Sequence, residues 1–309
     1  MTRDLNIMGF FKRHQRRGSY DLFSNYNQYM PGYGGMFIIF ALFLLGSLLG
    51  SLLVTGLTLA ISPDFAAKYG TLLSYPVSFI PAMLYASVQS RMANPFATAY
   101  ALDSNNFGKH GGFVISLIAA AATFAAAFIV EPVVVLLPEM PQWLKDAMDQ
   151  ILKNCPFWCT LLSVSVFAPL FEEWLCRGLI LRGLLKKSSP ATAITVSAAF
   201  FAVLHMNPWQ AIPAFCLGLL FGYVYYRTGS LKLTMLMHCV NNTVAAVFSQ
   251  IPMFEEAESF MDVMSPWAYV CAYIALVLVL ASAVVIFKGI PLKKEDGAGN
   301  CDEISPMSI

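Results

Sequence analysis

The sequence predicts an all-α, polytopic membrane protein, and two observations carry that prediction. The first is a shortage of charge: 58% of the 309 residues are hydrophobic and only 12% are charged, with a mean hydropathy of +0.64. Soluble domains usually carry about 25% charged residues, so this chain lacks the charge to cover a soluble surface. The second is a series of long apolar segments separated by short polar ones.

Eight apolar segments are candidate transmembrane helices, which need about 20 mostly apolar residues. They are residues 36–61, 72–88, 112–130, 157–170, 191–206, 209–226, 233–251 and 267–287. The fourth is short, and its apolar pattern resumes afterwards, so residues 174–185 either extend the helix or lie at the interface. Residues 138–155 mix apolar and charged side chains, which predicts a short amphipathic helix on the membrane surface.

The placement of charge predicts the topology. If the N-terminus is cytoplasmic and eight spans alternate, sixteen of the nineteen Lys and Arg residues fall on the cytoplasmic side. This matches the positive-inside rule, so we expect both termini in the cytoplasm of a multi-pass cell-membrane protein. The expected organisation is a basic cytoplasmic arm (1–35), N-terminal transmembrane helices with an amphipathic loop (36–156), a transmembrane core (157–251), and a last transmembrane helix with a cytoplasmic tail (252–309).

Several other features are interpreted as structural. The seven cysteines lie mostly in apolar segments, which indicates buried thiols and not disulfides. The GxxxG pairs Gly46/Gly50 and Gly218/Gly222 predict close helix packing. The basic N-terminal arm is interpreted as a topology determinant in contact with anionic lipid, with a partner-binding or nucleic-acid role as the alternative. Because the net charge is only +1, we expect the lipid bilayer as a partner and no nucleic acid.

Ionisable residues inside apolar segments are functional-site candidates by default, because burying them in lipid is costly. All but two of the eighteen acidic residues are assigned to loops or tails, and the exceptions are Glu172 and Glu173. Two of the four histidines, His205 and His238, also lie in apolar segments. Together with Arg177, these residues all fall between positions 157 and 250.

Helical spacing predicts which of these residues are partners. Glu173 and Arg177 are four residues apart and can pair on one face of a helix. Glu172 is rotated by about 100° from Glu173 and has no local cation, which suits a general base or acid. His238 and Asn242 also share a face, and both can donate hydrogen bonds to an oxyanion.

Each of these residues is also compatible with a structural role. A single histidine in a span often bonds a neighbouring helix, and a Glu–Arg pair at a helix end is often an interfacial salt bridge. Glu172, His205 and His238 are also conceivable zinc ligands, since catalytic zinc uses three protein ligands, although no HExxH motif occurs. The occurrence of the whole set within 71 residues favours a common site.

Three ordered motifs resemble those of the CPBP family, which contains the CAAX prenyl endopeptidases and the bacteriocin-processing (Abi) intramembrane proteases. The motifs are Glu172-Glu173-x-x-x-Arg177, Phe201-x-x-x-His205 and His238-x-x-x-Asn242. The resemblance covers about a third of the chain, and residues 1–150 carry no such motif.

The resemblance implies an intramembrane endopeptidase. Glu172 and His205 would activate a water that attacks a peptide carbonyl, His238 and Asn242 would stabilise the oxyanion, and the Glu–Arg pair would hold the first motif in shape. The implied substrate is a peptide or protein, including a membrane-anchored one. The family is called a metalloprotease family, yet a metal-free glutamate mechanism has also been argued. The cofactor therefore stays open between a divalent metal such as zinc and none.

Two other functions are compatible with the sequence. One is a non-catalytic immunity or scaffold protein that keeps the motifs and acts by binding a partner peptide. The other is a proton-coupled transporter, in which buried Glu and His relay protons. Many carriers are built from internal repeats, and none is evident in this sequence, which counts against a transporter.

Overall fold

The computed structural model of the chain describes residues 26–93, 102–153, 155–255, 257 and 259–292. The cationic cluster of the predicted basic arm and the C-terminal tail from residue 293 lie outside these ranges. Within the described residues the regular secondary structure is entirely helical, which confirms the all-α prediction.

The helices of the described residues follow one another along the chain. They are α1 (Tyr33–Ala60), α2 (Pro63–Val77), α3 (Ile80–Met92), α4 (Gly111–Val135), α5 (Gln142–Lys153), α6 (Phe157–Leu185), α7 (Pro190–Leu204), α8 (Pro208–Thr228), α9 (Leu231–Phe248), α10 (Pro252–Glu255), α11 (Phe260–Val263) and α12 (Pro266–Lys288). Helix α5 corresponds to the predicted amphipathic helix.

Five segments among the described residues are long and apolar enough to cross a membrane, by length and composition. They are α1, the combined α2 and α3, α4, α6 and α12. Each of the eight predicted segments overlaps a helix, but the count of eight spans and the cytoplasmic position of the termini stay predictions. Helix α6 continues to Leu185, so residues 174–185 extend this helix.

Several helices begin at a Ser or Asn followed by proline. The side chains of Ser189, Asn207 and Ser265 accept a backbone N–H in the first turn of α7, α8 and α12. The proline that follows has no N–H to satisfy, and its φ angle already suits a helix. The three predicted spans begin one residue after these prolines, so local sequence sets these boundaries.

Close helix packing is present at both GxxxG pairs. A Cβ atom added at Gly46 would lie 2.1 Å from the carbonyl oxygen of Ser78, at the break between α2 and α3. A Cβ at Gly218 would lie 3.1 Å from Cα of Ala198. Two prolines, Pro76 and Pro81, flank the break and remove backbone donors there. The predicted packing role of these glycines is therefore confirmed.

Two arginines join helix ends at one end of the bundle, and of these Arg182 is buried and Arg227 is half-buried. Arg182, at the end of α6, donates hydrogen bonds to the carbonyl oxygens of Tyr26 and Tyr29 at 2.9 and 2.7 Å. Arg227, at the end of α8, donates to the carbonyl of Phe287 at 3.1 Å. Backbone carbonyls in turns and at helix ends lack the donors that a continuing helix would supply. The arginines provide donors at these positions and tie α6 and α8 to neighbouring segments.

Asp103 connects the loop before α4 to the start of α9. Its carboxylate accepts hydrogen bonds from the backbone N–H groups of Leu231 (2.8 Å) and Lys232 (3.2 Å). We expect Asp103→Ala to lower the free energy of unfolding by about 1–2 kcal/mol, because it removes a helix cap. Asp103→Asn keeps one acceptor oxygen and should cost less. Unfolding in mixed detergent–SDS micelles measures both, and equal stability of the Ala variant and the wild type would contradict the prediction.

Candidate active site

Helix α6 carries the first motif and lies at the centre of the bundle. Every residue from 173 to 184 is buried. Two π-helical turns, Leu162–Phe167 and Trp174–Leu181, flank the short α-helical stretch that holds both glutamates. Such π-helical turns change the direction of side chains along a helix and are frequent at functional sites.

Four of the predicted site residues form a buried carboxylate–histidine cluster: Glu172, Glu173, Arg177 and His238. Arg177 Nη1 donates to Glu173 Oε1 at 2.7 Å, and both side chains are completely buried. His238 Nδ1 lies 3.1 Å from the same oxygen. The pairing predicted from the spacing of Glu173 and Arg177 therefore forms, and His238 of α9 joins it from 65 residues away in sequence.

Arg177 also joins α6 to α8 and α7. Its Nη2 donates to the carbonyl oxygen of Gly218 at 3.0 Å. Its guanidinium lies over the rings of Phe201 and Phe221, at 4.6 and 5.4 Å from the ring centroids. These contacts replace the hydration that a buried guanidinium loses, so Arg177 binds three helices together.

Glu172 has hydrogen-bond contacts that differ from those of the Glu173–Arg177 pair. Its side chain is 13% exposed. Oε1 accepts a hydrogen bond from the hydroxyl of Tyr75, on α2. Oε2 is buried, has no hydrogen-bond partner among the described residues, and lies 4.0 Å from Nε2 of His238. One carboxylate oxygen therefore faces His238 without a bonded partner.

His205 lies just after the end of α7, beside the cluster. Its Nδ1 is 2.9 Å from the carbonyl oxygen of Phe201. A carbonyl can only accept, so Nδ1 carries the proton and, in the neutral ring, Nε2 is left as an acceptor. The Phe201 ring packs edge-on against both His205 and His238, with centroids 5.0 and 5.4 Å apart. Phe201 thus connects the two histidines.

Asn242 follows His238 by one turn on α9 and contacts the start of α6. Its Nδ2 donates to the carbonyl oxygen of Val164 at 2.7 Å, and its Oδ1 accepts from Nδ2 of Asn241 at 3.0 Å. These bonds orient the amide group. The amide nitrogen has a second hydrogen, which leaves one donor for a further partner.

Glu172, His205 and His238 are the metal ligands that the sequence suggests. Within the described part of the chain, no group of three or more His, Cys, Asp or Glu side chains is arranged to hold a metal ion. The three residues are therefore not arranged as a three-ligand zinc site in the described structure.

Tyr75 and Glu131 are polar helix residues that form hydrogen bonds between helices and are not among the predicted site residues. Tyr75 lies in a predicted span, and its hydroxyl within an apolar segment is the signal that could have identified it. Glu131 is predicted to lie in a loop, but it lies within α4 and accepts hydrogen bonds from the Phe260 N–H (2.9 Å) and the Tyr269 hydroxyl (3.1 Å). Glu131 also lines a mostly apolar cavity of about 270 Å³ between α4, α8, α9 and α11, which none of the predicted site residues lines.

Comparison with known proteins adds one finding to this geometry. Residues 154–244 match the family model described as Type II CAAX prenyl endopeptidase Rce1-like. This stretch is an Rce1-like domain of the CPBP protease family. The Rce1-like domain contains the whole carboxylate–histidine cluster together with His205 and Asn242. Its family is one of membrane proteases, which agrees with the apolar helices described above. No curated protein and no solved structure matches the chain.

Proposed function

We propose that the chain is an intramembrane endopeptidase that hydrolyses a peptide bond with a water activated by Glu172 and His205. The observation that carries the proposal is the buried carboxylate–histidine cluster inside the Rce1-like domain. Buried ionisable groups in an apolar bundle are costly, so a cluster of four within a protease-family domain favours catalysis.

In this mechanism Glu172 is the general base. Its Oε2 takes a proton from a water whose oxygen attacks the substrate carbonyl carbon, and a tetrahedral oxyanion forms. The proton then passes to the leaving nitrogen as the carbon–nitrogen bond breaks. The unpartnered state of Oε2 supports this role, because a base oxygen must be free to bond a water. His205 offers Nε2 to orient the same water, since its Nδ1 already donates to Phe201.

His238 and Asn242 are proposed to stabilise the oxyanion. His238 donates through Nδ1 to Glu173, so a donation through Nε2 requires a protonated ring. Asn242 would donate its second amide hydrogen. Glu173 and Arg177 act by holding His238 and α6 in place.

We also propose the substrate class, the location and the organisation of the chain. The substrate is a peptide or protein segment, including membrane-anchored ones, and the location is the cell membrane. Residues 157–251 would be the catalytic core, with the basic arm 1–35, the region 36–156 and the region 252–309 around it. The proposed reaction has no step that passes through a metal.

A cleavage assay with reconstituted protein tests the proposed function. The purified chain in lipid vesicles is mixed with peptides in which a prenylated cysteine is followed by three C-terminal residues. A second set of peptides has the same sequence without the prenyl group. We expect cleavage by the wild type. Glu172→Gln and His205→Ala should each lower kcat by about 10²–10⁴-fold, because each removes a group that handles the proton or the water.

Glu131→Gln is the matched control, since it also changes a helical carboxylate to an amide but lies outside the motifs. It should retain wild-type kcat. Full activity of Glu172→Gln would overturn the mechanism. Binding of the peptides without cleavage by the wild type would favour a non-catalytic binding protein instead.

A further inference from the structure

Among the described residues, Tyr75 is the one residue outside the Rce1-like domain that forms a hydrogen bond with Glu172. It lies on α2, 97 residues before Glu172 in sequence, and its hydroxyl donates a hydrogen bond to Oε1 of Glu172. A hydrogen bond to an ionised acceptor is roughly twice as strong as one between neutral groups. This contact therefore connects the N-terminal helices directly to the candidate base.

Aromatic packing holds both partners of this hydrogen bond in place. The Tyr75 ring lies 5.7 Å from the ring of Phe79, and Phe79 stacks on Phe171 at 5.2 Å between centroids. Phe171 directly precedes Glu172 on α6. Because one aromatic stack touches both helices, the tyrosine hydroxyl and the glutamate backbone keep a fixed relative position.

The contact makes the two oxygens of Glu172 different. Oε1 is engaged by Tyr75, whereas Oε2 is buried, has no hydrogen-bond partner among the described residues, and faces Nε2 of His238 at 4.0 Å. The last torsion of a glutamate side chain is broad, so without an anchor the plane of the carboxylate would rotate. The hydrogen bond from Tyr75 fixes this plane and holds the second oxygen towards His238.

We propose that Tyr75 is a positioning residue for this site: its hydroxyl holds Oε1 of Glu172 and so presents Oε2 to the water and the substrate. The proposal rests on the proposed peptidase function and adds a residue from outside the Rce1-like domain. Region 36–156 thereby contributes to the reaction through Glu172, besides contributing to the membrane-embedded fold.

Tyr75→Phe tests the proposal, because it removes the hydroxyl and keeps the ring. In the vesicle assay we expect kcat to fall about 10–100-fold, which is the effect of one lost hydrogen bond to a charged group, while KM stays within about two-fold. The control is Tyr69→Phe, on the same helix, where the ring packs against Phe65 with centroids 5.0 Å apart. The control should keep wild-type kcat and KM.

A double variant separates positioning from a general structural effect. In the Glu172→Gln background, adding Tyr75→Phe should change the residual rate little, because the group on which Tyr75 acts is already gone. If the two substitutions instead lower kcat by independent factors that multiply, the proposal is overturned. Wild-type kcat in Tyr75→Phe would overturn it as well. If Tyr75→Phe does not fold, Tyr75→Met replaces it, since it also removes the donor and keeps a long apolar side chain. Lower kcat at unchanged KM supports the proposal, and wild-type kcat overturns it.

The two proposals fail in different ways. If Glu172→Gln is as active as the wild type, the proposed function fails and the role of Tyr75 fails with it. If Glu172→Gln is inactive while Tyr75→Phe keeps wild-type kcat, the peptidase mechanism stands and only the role of Tyr75 is wrong.

Discussion

Arg177→Met is expected to lower the free energy of unfolding by about 3–5 kcal/mol, because it leaves the carboxylate of Glu173 buried without its cation. Neither side chain is exposed to solvent, and their polar atoms are 2.7 Å apart. The substitution also removes the hydrogen bond to the Gly218 carbonyl and the contact with the Phe201 ring. Loss of activity should accompany the loss of stability, since His238 bonds the same carboxylate.

Unfolding in mixed detergent–SDS micelles measures this effect, and the chain offers a matched control. Lys68 and Asp64 form a pair with the same spacing and a distance of 2.9 Å, but both side chains are exposed. Lys68→Met should leave stability nearly unchanged, because water screens an exposed ion pair. The double variant Glu173→Leu with Arg177→Met removes both charges and should be more stable than Arg177→Met alone. Wild-type stability of Arg177→Met would show that the buried pair does not hold the fold.

Gly46→Ala is expected to have the second large effect. The added Cβ would lie 2.1 Å from the Ser78 carbonyl oxygen, and backbone cannot move aside as a flexible side chain can. Helices α1 and α2 must then separate, which costs about 1–3 kcal/mol or more for an overpacked core. Because Ser78 is only three residues from Tyr75, the shift should also lower kcat in the vesicle assay.

Gly56→Ala is the control for this prediction, since a Cβ at this position on α1 meets no atom within 4 Å. It should leave stability unchanged or raise it by up to about 1 kcal/mol, because alanine favours a helix more than glycine does. The same unfolding assay compares the two variants. Equal stability of Gly46→Ala and Gly56→Ala would contradict close packing at Gly46.

Much of the helical architecture could be predicted from local sequence. Long apolar segments, and Ser or Asn followed by proline, locate helices such as α7 and α8 to within about a residue at their starts. The end of α6 is harder to predict, because Arg177 and Arg182 interrupt its apolar pattern. Both arginines are buried against carbonyl groups of distant segments, including those of Gly218 and Tyr29. Local hydropathy carries no information about such partners.

The candidate site also combines contacts that follow from local helical spacing with contacts that do not. The i, i+4 spacing of Glu173 and Arg177 is a local property, and the predicted pair forms. The contact of His238 with Glu173 spans 65 residues, and that of Tyr75 with Glu172 spans 97. Neither contact follows from helical spacing. Glu131 is predicted to lie in a loop because the predicted span ends one residue before it.

By itself, the sequence determined that this is an all-α membrane protein and identified the ionisable residues of the three motifs, although it assigned Glu131 of α4 to a loop. Those properties depend on composition and on the short-range periodicity of a helix, and both can be counted along the chain. Only the tertiary structure decided that Tyr75 bonds one oxygen of Glu172, that the other has no hydrogen-bond partner among the described residues, and that Phe201 joins the two histidines. Those features depend on how α2, α6, α7 and α9 pack, and packing brings together atoms that are far apart in sequence.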